Sequence, residues 1–95
     1  MKLIINTPSS VSITPKKELT KERKRPYVFT AIYIKSDDPQ HILQTWESRP
    51  VYNPTEDDLA IQAQRFLTET GDYHPYLEGF DIDKKARTIS IGMGS

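Results

Sequence analysis

The sequence predicts an α+β domain: a mainly antiparallel sheet of about four strands, with two helices on one face. Three observations carry this expectation. Residues 27–34 (Tyr27-Val28-Phe29-Thr30-Ala31-Ile32-Tyr33-Ile34) place β-branched and aromatic side chains on both faces, as an interior strand does. Leu59, Ala63, Phe66 and Leu67 fall at i, i+4, i+7 and i+8, which lays one apolar stripe along a helix. Towards the end of the chain Phe80 and Ile82 alternate with Asp81 and Asp83, and Ile89, Ile91 and Met93 alternate with Thr88, Ser90 and Gly92. Strands, then helices, then a hairpin is the order of an α+β fold.

The elements follow in chain order. Leu3-Ile4-Ile5 reads as a short strand, Pro8-Ser9-Ser10 as a turn, and Val11-Ser12-Ile13-Thr14 as a second, half-buried strand. Residues 15–26 contain one large apolar residue, Leu19. Such a segment cannot bury a face, so a solvated loop or arm is expected. The strand at 27–34 follows. Asp38 and Pro39 then supply an N-cap and a first-turn proline. Ile42, Leu43 and Trp46 fall on one face of the short helix this predicts at about 39–48, ended by Arg49-Pro50. Thr55 caps a second helix at about 56–70, with Glu56, Asp57 and Asp58 complementing its N-terminal dipole. Gly71 suits the left-handed position that ends it. Residues 84–86 form the turn of the closing hairpin.

Composition narrows the function. At 95 residues the chain is read as a single domain, 1–95. It has no cysteine, which excludes disulfides, thiolate metal sites and cysteine nucleophiles. The apolar run after Met1-Lys2 is three residues long, too short for a signal peptide, and nothing approaches the ~20 apolar residues of a membrane span. A cytoplasmic protein without a membrane partner is expected. Thirteen Lys/Arg balance thirteen Asp/Glu, so neither a uniformly basic nucleic-acid binder nor an acidic nucleic-acid mimic is indicated. The small repulsion of a neutral chain permits self-association.

That balance hides a segregation. Residues 1–35 hold eight Lys/Arg and two Glu, a net +6, whereas residues 36–95 hold five Lys/Arg and eleven Asp/Glu, a net −6. Charge split between halves points to a charged partner. Lys16, Lys17, Lys21, Arg23, Lys24 and Arg25 lie within ten residues, with Tyr27 just beyond. These residues are the predicted partner-binding set. They suit an acidic protein surface, with charge setting encounter rate and register. The alternative is nucleic acid, each cation neutralising a phosphate and Tyr27 or Tyr33 stacking on bases.

Catalytic and cofactor chemistry finds little support. Asp72-Tyr73-His74-Pro75-Tyr76 sets a histidine beside a carboxylate in a loop, and an acid–base site would need His74 bonded to Asp72 or Glu78. No nucleophile or oxyanion device can be placed next to it. The two histidines, His41 and His74, lack metal-site spacing. Gly71, Gly79, Gly92 and Gly94 form no phosphate-binding motif. The expectation is a small interaction or regulatory protein of the inhibitor type, without catalytic residues, metal or cofactor.

Overall fold

The computed structural model describes residues 17–20, 24–35, 39–72 and 74–94. The strands expected at 3–5 and 11–14, the Asp38 cap, and Lys16, Lys21 and Arg23 lie outside these residues. Among the described residues there are four strands and one helix: β1 (Val28–Ile34), β2 (Leu43–Glu47), α1 (Glu56–Thr70), β3 (Tyr76–Asp83) and β4 (Thr88–Gly94). The α+β class holds. The sheet is mixed rather than antiparallel throughout, in the order β2-β1-β4-β3. β1–β2 and β3–β4 are antiparallel hairpins, and β4 runs parallel to β1 through Val28↔Thr88, Phe29↔Ile89 and Thr30↔Ser90. The connection through α1 carries the chain from one edge strand to the other. The second hairpin then returns β4 to the centre, where its direction matches that of β1.

The helix expected at about 39–48 is not formed; its second half is strand β2. Ile42, Leu43 and Trp46 satisfy a helical face on paper, but Leu43-Gln44-Thr45-Trp46-Glu47 also alternates. Gln44 and Trp46 turn inward, while Leu43, Thr45 and Glu47 are exposed. The tertiary context decides between the two. A helix of that length is marginal alone, whereas β1 offers unpaired backbone groups that must be satisfied. The hairpin runs from Ile34↔Leu43 to Thr30↔Glu47. Past Glu47 the Ser48 N–H donates to the Phe29 carbonyl at 2.8 Å. The Ser48 hydroxyl accepts the Phe29 N–H at 2.9 Å and donates to the Arg49 carbonyl at 2.8 Å. A side chain thus stands in for backbone just before Pro50. Pairing resumes at Tyr27↔Val51.

Helix α1 occupies the span its sequence predicts. The Thr55 N–H donates to Asp58 Oδ2 at 2.8 Å, satisfying the backbone at the cap as a capping-box acid does. Gly71 ends the helix at φ 71°, and its N–H reaches the Leu67 carbonyl at 3.0 Å. Only glycine takes that conformation without strain. The predicted stripe faces the sheet: Leu59, Ala63, Phe66 and Leu67 are wholly buried against Phe29, Leu77 and Ile89. Phe66 lies at the centre, edge-on to Tyr33 (5.9 Å between centroids) and to Trp46 (5.7 Å). Among the described residues no helix covers the opposite face of the sheet. There Ile32 is 66%, Leu43 64% and Ile34 44% exposed.

The hairpin β3–β4 begins four residues earlier than the alternation suggests, because a bulge between Leu77 and Gly79 breaks the two-residue period. The Asp83 carboxylate closes its turn by accepting the Lys85 and Ala86 N–H groups, both at 3.0 Å. Replacing Phe66 removes the ring shared by helix and hairpin. Phe66→Ala is expected to cost about 3–5 kcal/mol, read as a lower denaturation midpoint by circular dichroism.

Candidate functional site: the basic end of the sheet

One end of the sheet gathers the start of β1, the chain after β2 and the β3–β4 turn. Arg87 ties them together. It stands at φ 58°, a left-handed conformation uncommon outside glycine. Its carbonyl accepts the Val28 N–H at 3.0 Å. Its guanidinium donates to the carbonyls of Arg25 (2.8 Å) and Pro26 (3.3 Å). The same group lies 4.7 Å from the centroid of the Tyr27 ring, within cation–π range. A planar fork can serve two carbonyls and a ring at once, which a lysine cannot.

The predicted partner-binding residues separate around this clamp. Lys24 and Arg25 are exposed. Lys17 is also exposed, but it belongs to a short docked stretch rather than a free arm. Its carbonyl accepts the Glu56 N–H, the Leu19 N–H donates to Pro54, and Lys17 Nζ lies 3.8 Å from Glu56 Oε1. Leu19 packs on the core and Thr20 is buried. Residues 17–20 therefore depart from the expected solvated segment, because a single leucine is enough to seat them beside the helix cap. Tyr27 has no exposed surface and cannot serve as a contact or stacking group; it is a core residue roofed by Arg87. Tyr33 is half-buried on the helix side, against Phe66.

Folding brings other residues to this end. Lys84 and Lys85 are exposed in the turn beside Arg87, and Arg49 is exposed where β2 runs out. Tyr52, 63% exposed, follows Val51, the partner of Tyr27. In the sequence Lys84 and Lys85 read only as hairpin turn and Arg49 only as part of a helix stop. The signal available was the run Lys84-Lys85-Ala86-Arg87, whose neighbour in space only the β1–β4 pairing reveals. The end also carries the exposed acids Asp57 and Asp83, so its positive excess is moderate. Asp83 is committed to the turn.

At the opposite end lies the motif weighed for acid–base chemistry. Asp72 Oδ1 accepts both the His74 backbone N–H (2.7 Å) and a contact from His74 Nδ1 (2.6 Å). This buried Asp72 and His74 line a cleft of about 200 Å³ with Ile32, Tyr33, Ile34, Leu43 and Met93. The His–carboxylate pairing that an acid–base site would need is present. Among the described residues the other walls are apolar apart from the Tyr33 phenol, with no serine, threonine or lysine. Among the described residues no three His, Cys, Asp or Glu side chains gather as a metal site, and no helix is long and apolar enough to cross a membrane. Comparison with family models, curated proteins and solved structures finds no match.

Two outcomes test the clamp. Arg87→Lys keeps the charge but loses the fork, and is expected to cost about 1–2 kcal/mol in chemical denaturation, the scale of one or two partly buried hydrogen bonds. The Tyr27 hydroxyl is buried with no hydrogen-bond partner among the described residues. Tyr27→Phe is therefore expected to leave stability unchanged or raise it by up to about 1 kcal/mol, because it removes an unsatisfied polar atom and keeps the ring under Arg87.

Proposed function

We propose that the protein is a non-enzymatic interaction module, which docks a larger protein of acidic surface through the basic end of its sheet. The observation that carries this reading is the convergence of Lys24 and Arg25 with Lys84 and Lys85 on either side of the Arg87 clamp, whose bond to the Arg25 carbonyl spans 62 residues of sequence. The Arg25 backbone is tied to Arg87 and Lys84 and Lys85 stand on a closed turn, so these cations need less further ordering on contact, which favours affinity. Tyr52 supplies an exposed ring beside them, of the kind that anchors interfaces. The charges set encounter rate and register. A regulator or inhibitor acts in this way, by occupying its target's surface.

Nucleic acid is the second reading, since the same cations would meet phosphates. With Tyr27 buried, Tyr52 is left as the ring for stacking at this end.

The test is affinity capture from a lysate of the source organism, with and without nuclease, using the native protein and a Lys84→Glu/Lys85→Glu variant. The expected result is one stoichiometric protein that survives nuclease and is lost with the variant. Capture that vanishes with nuclease moves the function to nucleic acid. A partner retained equally by the variant removes the basic end from the interface.

A further inference from the structure

The two edges of the sheet are built differently. β3 is guarded in the ways that keep edge strands from pairing: a bulge between Leu77 and Gly79, Pro75 just before the strand, and Asp81 and Asp83 along it. β2 has neither the bulge nor the preceding proline, and its one acid, Glu47, stands at its very end. Leu43-Gln44-Thr45-Trp46-Glu47 contains no proline, no lysine and no bulge, and its pairing to β1 is continuous over all five residues. Hydrogen bonds to β1 alternate along an antiparallel strand. Ser48 bonds towards Phe29, so Trp46 and Gln44 face β1 as well. The N–H and C=O groups of Leu43, Thr45 and Glu47 consequently point away from the sheet. Among the described residues no strand lies beyond them.

We propose that a second copy of this chain covers this edge, the two β2 strands pairing antiparallel about a two-fold axis at Thr45. This proposal is independent of the basic end and of its partner. An isologous contact sets Thr45 opposite Thr45 of the other copy and Leu43 opposite its Glu47, each pair exchanging both N–H···O=C bonds. The register is favourable in charge as well as backbone. The two Glu47 carboxylates lie at opposite ends of the seam, each across from a leucine, so no like charges face one another. The chain's zero net charge adds no long-range repulsion.

On the face opposite α1 the register also joins an apolar row. Ile32 is the cross-strand neighbour of Thr45, and Ile34 that of Leu43. The pairing therefore lines up Ile32, Thr45, Thr45 and Ile32 across the dyad, with Leu43 and Ile34 flanking. The sheet grows to eight strands, and exposed Ile32 and Leu43 come to lie beside the seam. A five-residue seam buries less than the ~800 Å² per partner of a standard interface, so the dimer is weak and concentration-dependent.

Sedimentation velocity on the full chain, from about 5 to about 500 µM, spans the range expected of so small a contact. A monomer–dimer equilibrium is expected. Amide exchange protection should rise with concentration at Leu43, Thr45 and Glu47, and not along Tyr76–Asp83. Thr45→Pro removes an N–H that β1 does not use, and should abolish the dimer while far-UV circular dichroism stays native. If that variant loses its fold, the concentration-dependent protection of the native chain decides. A chain that stays monomeric throughout, protection that rises on β3 instead, or a well-folded Thr45→Pro protein that still dimerises would each overturn the proposal.

Discussion

Two hairpins become one sheet through a parallel contact only three residue pairs long, Val28–Thr30 against Thr88–Ser90. Everything else rests on that seam. It is formed between segments far apart in sequence, so the chain must close a large loop before gaining the contact. Two devices secure it. From the helix side, α1 buries Leu59, Ala63, Phe66 and Leu67 over residues of both hairpins. From the end, Arg87 spans the seam with hydrogen bonds to Arg25 and Pro26 and a contact over Tyr27. The hydrophobic layer supplies most of the free energy, since each wholly buried leucine or phenylalanine contributes about 1.5–3 kcal/mol. The arginine supplies the register, because its fork matches two successive carbonyls.

What could be read in the sequence follows from how local each signal is. Helix α1 was legible to its ends, because Thr55, the acidic first turn, the stripe and Gly71 are all short-range features. The closing hairpin was legible for Phe80–Asp83 and Thr88–Met93, where the period is clean, and illegible across the bulge at Leu77/Gly79. β2 was misread because five residues with Leu43 and Trp46 three apart fit either period. The need of β1 for a partner settles the choice, and that need is not written in residues 39–48. The parallel pairing left no local trace at all.

The surface shows the same division. Lys24 and Arg25 stand out as part of a dense run, but Tyr27, next to them in sequence, is wholly buried. Lys84, Lys85, Arg49 and Tyr52 looked like unrelated turn and loop residues until the strand order placed them at one end. A charge that is diffuse along the chain becomes local in space. The total of zero therefore describes the average field and not the field a partner would meet.

The chain has a single tryptophan, and its position gives the molecule an internal optical reporter. Trp46 is 7% exposed, edge-on to Phe66, with its indole N–H donating to Glu69 Oε1 at 3.2 Å. The indole thus belongs to the first hairpin while its environment is made by the helix. Its emission wavelength tracks the docking of those two elements. Far-UV ellipticity, by contrast, averages over every strand. Comparing the two signals during unfolding separates the loosening of the helix from the hairpin from the collapse of the whole sheet, without an added label.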